Sequence, residues 1–99
     1  FVAIHDAARP CLATRWIDDV FKTAVQTGAA ILATPVVSTL KRADERMCIE
    51  DTVDRTNLWE AQTPQVFSRA LLADSFKKDT QRTATDEAQM AEAAGHSVS

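Results

Sequence analysis

Val2-Ala3-Ile4-His5-Asp6-Ala7-Ala8-Arg9-Pro10 passes from apolar to charged within one step, and that change decides how the chain is read. Phe1 to Ile4 are apolar and β-tolerant, which predicts a buried strand. Pro10 disfavours helix at Arg9, so the chain must turn out of the strand there. An acid, Asp6, and a base, Arg9, therefore sit at the carboxyl end of a buried strand. In open α/β sheets that is where ligands bind. Small Ala7 and Ala8 let a ligand approach the backbone closely. The simpler reading is a local Asp-Arg pair that closes a turn.

Working outward, Trp16, Ile17, Val20, Phe21, Ala24 and Val25 recur at helical spacing and predict a helix from about Arg15 to Thr27, capped at Ala13-Thr14. Gly28 supplies a left-handed stop. Ala29 to Thr34 predict a second buried strand, ended by Pro35 and parallel to the first through a right-handed crossover. Val37–Arg42 and Met47–Val53 form a plausible β-hairpin around Ala43-Asp44-Glu45-Arg46. Isolated two-stranded ribbons are marginal, so this hairpin needs something to pack on, and a partner subunit is one candidate. Leu58 to Thr63 predict another strand, turned by Pro64 and Gln65. Ser68 can cap a helix to about Lys78, with Leu71, Leu72 and Phe76 inward. A polar loop over 79–84 leads to a helix capped by Thr85 and stopped by Gly95. Gly95 to Ser99 then read as a turn and the start of another strand.

With 99 residues, 45% of them hydrophobic and 25% charged, the chain has the composition of one small globular domain. A net charge of −3 argues against a broad nucleic-acid surface. No run is long and apolar enough to span a membrane. Cys11 and Cys48 lack metal-ligand spacing and read as buried free thiols of a reducing compartment. The chain opens inside an apparent strand and closes at the start of another, which suggests an internal piece of a larger domain.

Chemistry-bearing residues are spread over the chain. Thr39, Lys41 and Arg42 place a hydroxyl and two cations on the hairpin, and Arg55 follows its second strand. Arginine grips phosphate through a fixed fork of donors; a solvated hairpin face is the alternative. Gln62-Thr63-Pro64-Gln65 offers a hydroxyl and two amides, or ordinary turn chemistry around Pro64. Thr85 can bind an anion at a helix start or simply cap it. His5 reads as a hydrogen-bonded structural residue. With only Gly28 and Gly95, the chain has no Gly-rich phosphate loop. It also lacks a serine nucleophile elbow and any cysteine-histidine zinc spacing.

Five blocks now stand in order: His5-Asp6-Ala7-Ala8-Arg9-Pro10, Pro35 to Arg42, Thr52-Val53-Asp54-Arg55, Leu58 to Gln65, and Thr85-Asp86-Glu87-Ala88. Over essentially the whole chain they resemble the 2-C-methyl-D-erythritol 4-phosphate cytidylyltransferase family. The resemblance implies an α/β fold: a partial three-layer α/β/α, Rossmann-like nucleotidyltransferase core over residues 1–99, with residues 37–55 as a dimerisation and substrate arm. It implies CTP as co-substrate with Mg²⁺ or another divalent cation, a sugar-alcohol phosphate as acceptor, and a homodimer. By position, Arg55 and Thr39 resemble catalytic residues that hold the acceptor phosphate across the dimer. Asp6, Ala7, Arg9, Thr63 and Thr85 resemble substrate-pocket residues, with Asp6 close to the metal-nucleotide. Ser38 departs from the pattern, since an acid is common there. The family's Gly-rich CTP loop and its Asn-Ile-Lys-Val-Thr segment have no counterpart among these residues. The implied setting is a bacterial-type cytoplasm, or a plastid. Ribitol-phosphate cytidylyltransferases share much of the motif set, and a non-catalytic dimerisation or ligand-binding module could keep the same scaffold.

Overall fold

The computed structural model describes residues 1–79 and 84–99. Its elements run β1 (Val2–Ile4), α1 (Thr14–Thr27), β2 (Ala29–Pro35), β3 (Leu40–Ala43), β4 (Ile49–Val53), β5 (Trp59–Phe67), α2 (Arg69–Lys78) and α3 (Glu87–Ala93). The polar loop expected over 79–84 lies, at 80–83, outside the described residues.

β5 organises the sheet. It lies between β1 and β2 in a three-stranded sheet and pairs antiparallel with both. β1 and β2 therefore run in the same direction, as the helical crossover predicts, but they are not neighbours. Pro64 does not end the strand, contrary to expectation. Its peptide with Thr63 is cis, and the strand continues through it to Phe67. Pro64 cannot donate to a ladder, and it falls where the ladder is interrupted. Ile31 pairs with Gln65 and Ala33 with Ala61, so β2 advances two residues while β5 advances four. Pairing with β1 begins only beyond the proline, at Gln65 with Ile4.

Side-chain alternation makes this sheet the middle of three layers. On one face Ala30, Val66 and the half-buried Leu32 pack with Val20, Ala24 and Phe21 of α1. On the other, Ala29, Phe67, Ile4 and Ile31 pack with Leu71 and Leu72 of α2 and with Ala88 and Ala91 of α3. Val66 and Phe67 are fully buried and point to opposite faces. Alanines at 24, 29, 30, 88 and 91 let helices approach the sheet closely.

Two predicted stripes are narrower than their spacing suggests. In α1 the buried residues are Val20 and Ala24, one turn apart, whereas Val25 lies a further ~100° round and is exposed. Trp16 overhangs the sheet from the first turn and is also exposed. In α2 the buried positions are Leu72 and Ser75, and Phe76, one step beyond, faces outward. Gly28 has φ 92° and donates its N–H to Ala24. Asp86, not Thr85, caps α3: its side chain accepts from Gln89 N–H. A carboxylate reaches that donor from the N-cap position, while Thr85 stands one residue too early.

Ser99 extends the sheet beyond β2. Its N–H donates to Ala29 O at 3.1 Å, and Ile31 N–H donates to Ser99 O at 2.9 Å. These two bonds follow a parallel ladder pattern.

β3 and β4 form a separate two-stranded antiparallel arm, shorter than the predicted hairpin. Asp44 closes its tip by accepting the N–H groups of Arg46 and Cys48. The arm lengthens the molecule to 44 Å and raises the radius of gyration to 15.6 Å. A compact chain of this size would have about 13 Å. Both cysteines are free and exposed, not buried: Cys11 follows Pro10 in the loop before α1, and Cys48 sits at the arm's tip.

Candidate functional site

The turn after β1 is built from its own residues and anchored to β5. Arg9 N–H donates to Asp6 O at 3.0 Å, closing Asp6-Ala7-Ala8-Arg9 as a turn. Arg9 Nε also donates to Asp6 Oδ2 at 3.2 Å. The local reading of this pair is therefore correct, and the turn does more than close itself. Arg9 Nη1 donates to Gln62 Oε1, and Asp6 N–H donates to Thr63 Oγ1 at 3.1 Å. The acid and base that follow β1 are thereby brought together with a hydroxyl and an amide of β5.

His5 locks this arrangement. Its Nε2 lies 2.7 Å from Arg9 O and its Nδ1 2.8 Å from Thr63 Oγ1. A carbonyl only accepts, so Nε2 carries the proton. In the neutral ring Nδ1 then accepts, and Thr63 O–H donates to it. With that tautomer Thr63 O–H donates to His5 Nδ1 while its oxygen accepts from the Asp6 N–H. His5 is structural, as expected, but what it supports is the site itself.

A cleft of about 620 Å³ opens beside this cluster. Arg9, Gln62 and Thr63 give its polar side. Pro10, Leu12, Trp16 and Leu32 give the apolar wall, which explains why Trp16 is not in the core. Arg15 places its guanidinium carbon 5.8 Å from the centre of the Trp16 ring. Exposed Ala7 leaves the backbone of the turn open to a ligand.

Thr85 lies at the start of α3, which is tied to the same strand. Gln65 Nε2 donates to Asp86 Oδ2 at 3.0 Å, and Ala88 N–H donates to Gln65 Oε1 at 3.0 Å. Thr85 gives its N–H and hydroxyl to Gln89 Oε1 at 2.6 and 3.1 Å.

Thr39 and Arg55 belong to the arm. Arg55 opens a turn closed by Leu58 N–H to Arg55 O at 3.0 Å, and its Nη1 donates to Val37 O at 2.5 Å. The preceding Asp54 accepts Thr56 N–H at 2.9 Å, and bonds from Thr56 hold its carboxyl below the usual range. Thr39 is exposed. Lys41 and Arg42 are engaged within the arm, by Thr52 and Asp51. Among the described residues, no hydrogen bond or ion pair joins Thr39 or Arg55 to the Asp6 cluster within one chain. Nor does any group of three His, Cys, Asp or Glu residues form a metal cage among the described residues. No described helix is long and apolar enough to cross a membrane.

A three-layer α/β/α core with a cleft beside the end of β1 and an outlying arm defines a partial Rossmann-like domain. The chain belongs to the 2-C-methyl-D-erythritol 4-phosphate cytidylyltransferase family, whose model matches residues 1–99. It is 48% identical over 97 residues to the Rhodopirellula baltica enzyme of that name, covering 98% of this chain and 39% of the relative. An Alkaliphilus metalliredigens relative of the same name is 41% identical, with 98% of this chain and 41% of the relative covered. Among solved structures, the Thermus thermophilus enzyme superposes with a TM-score of 0.87 at 32% identity, covering 99% of this chain and 49% of that one. A structure described as 4-diphosphocytidyl-2C-methyl-D-erythritol synthase gives a TM-score of 0.82 at 40% identity over 97% of this chain and 43% of its own. The chain thus spans less than half the length of these relatives.

Proposed function

We propose that the protein to which this chain belongs transfers CMP from CTP to 2-C-methyl-D-erythritol 4-phosphate. The acceptor's phosphate oxygen bonds to the α-phosphorus of CTP, the bond from that phosphorus to the β-phosphate oxygen breaks, and pyrophosphate leaves. The observation that carries this is the convergence of Asp6, Arg9, Gln62 and Thr63 at one strand end, beside a cleft, in a chain matched end to end by this family. A phosphate monoester has a second pKa of about 6 and is largely dianionic at neutral pH. The nucleophile therefore needs no side-chain base. The protein's task is to bring anions into line using cations and donors.

Arg9 and Asp6 hold the polyol end of the acceptor, with Ala7, Thr63 and Thr85 lining the pocket. Arg55 and Thr39 grip its phosphate and are the catalytic pair. Among the described residues no hydrogen bond or ion pair ties them to Asp6 within one chain, which leaves them free to act in the pocket of a second copy. Val37, Met47 and Ile49 leave 77%, 82% and 66% of their surface exposed on or beside the arm, which suits burial in a homodimer. Asp6 suits a magnesium ion, which is commonly held by one or two carboxylates plus substrate phosphates. Only its Oδ2 is engaged by Arg9. The metal, when bound with CTP, would neutralise phosphate charge. A Gly-rich loop for CTP, which the resemblance implies, is not among these 99 residues. A cytoplasmic setting completes the reading.

The test is pyrophosphate release by the full-length protein with CTP and either acceptor. Activity with 2-C-methyl-D-erythritol 4-phosphate is expected. Preference for ribitol 5-phosphate, or release with neither, contradicts the reading.

A further inference from the structure

Gln65 has a role that its motif does not disclose. It is 2% exposed on the central strand, paired in the ladder with Ile4 and Ile31. A buried primary amide must satisfy both its ends. Gln65 does so on one target: its N–H donates to Asp86 and its oxygen accepts from Ala88, each at 3.0 Å. Asp86 is divided in turn. Its Oδ1 accepts Gln89 N–H at 2.8 Å to cap α3, and its Oδ2 faces Gln65. Gln89 reaches back to Thr85. One side chain of β5 thereby fixes the entire start of α3. Thr63, two residues earlier on the same strand, fixes the Asp6-Arg9 turn. The segment Thr63-Pro64-Gln65 thus ties both the Asp6-Arg9 turn and the start of α3 to one strand.

We infer that Gln65 is a positioning residue for acceptor binding: through Asp86 it sets the Thr85 hydroxyl against the Asp6-Arg9 turn. This rests on the reading of Thr85 as a pocket residue. Gln65 touches neither substrate. Its loss raises the KM for the polyol phosphate and spares the KM for CTP.

The orientation of the amide makes a specific test. Gln65→Glu keeps the acceptor for Ala88 but sets a carboxylate against Asp86. At neutral pH the full-length variant should show a polyol-phosphate KM raised by about tenfold or more, since bonds to charged groups are the strong ones. The CTP KM should stay within about twofold, well inside one such bond. Lowering the pH should reduce the defect, because a protonated carboxyl at position 65 donates to Asp86 as the amide does. Adding Asp86→Asn should restore the KM at neutral pH, because the new amide donates to the carboxylate while its oxygen still caps α3. Gln65→Met, which buries no charge, should show the same KM split without rescue by Asp86→Asn.

Equal rises in both KM values, or no rescue in the Gln65→Glu/Asp86→Asn pair, overturn the inference. Thr85→Ala separates it from the reading beneath. If Thr85→Ala raises the polyol-phosphate KM and Gln65→Met does not, Gln65 alone is misassigned. If Thr85→Ala leaves that KM unchanged, the pocket reading of Thr85 fails and this inference with it.

Discussion

Arg9 shows how one side chain carries a site. Its guanidinium spans the Asp6 carboxylate and the Gln62 amide, and its backbone carbonyl receives His5. Lysine has charge without the planar fork and cannot hold both partners in register. Arg9→Lys should therefore lower kcat/KM for the polyol phosphate by about tenfold to a hundredfold, the worth of one charge-assisted bond. Steady-state kinetics of the full-length protein check this; an unchanged value would show that Arg9 only closes its turn. Asp6 and Arg9 were legible as residue types at a strand end, whereas Thr63, expected at another strand end, lies inside β5. The partners of all three were not legible. His5 and Thr63 are 58 residues apart, Arg9 and Gln62 53. Local spacing carries no information about such pairs. Gln65 was noted as an amide, but its partners were hidden for the same reason, since they lie 21 and 23 residues onward.

Elements divide by how much of their signal is local. α1, with its apolar spacing and Gly28 stop, was readable almost to the residue, and so was the Ser68 cap of α2. β5 was misread at Pro64, because a proline in a central strand is tolerated only where the ladder breaks, and that break depends on β2. The residues so lost, Val66 and Phe67, are the largest fully buried apolar side chains among the described residues. Phe67→Ala should cost about 3–5 kcal/mol, a large part of a domain's total stability. Denaturant titration checks it, and a loss under ~1 kcal/mol would deny β5 its central place. α2 and α3 are also clasped at their C-terminal ends. Asp74 Oδ2 receives Lys78 Nζ at 2.7 Å and His96 Nε2 at 2.8 Å. Those bonds, Lys78's first, hold the Asp74 carboxyl below its ordinary 3.8. A lowered folded pKa means stability that is present above the unfolded value and lost as pH falls through the folded one. The stability deficit of Asp74→Asn at pH 5 should therefore shrink as the pH drops below 3.8. A deficit that persists unchanged in acid would assign it to packing.

For the whole molecule the arm is the decisive part. Arg55 and Thr39 flank its strands, and it displays exposed apolar side chains. A two-fold pairing that exchanges arms would complete two identical sites. Removing residues 40–53 from the full-length protein should therefore abolish both dimer and acceptor binding. Light scattering and calorimetry would report the two losses together; a dimer that survives the deletion would place the interface elsewhere. The most direct test mixes two inactive full-length variants, Arg55→Ala and Asp6→Ala, after separate purification and subunit exchange. In a mixed pair one site keeps native Asp6 from one subunit and native Arg55 from the other. With random pairing the mixture should regain about a quarter of the wild-type activity. No recovery in demonstrably mixed dimers would contradict an acceptor pocket shared between two copies.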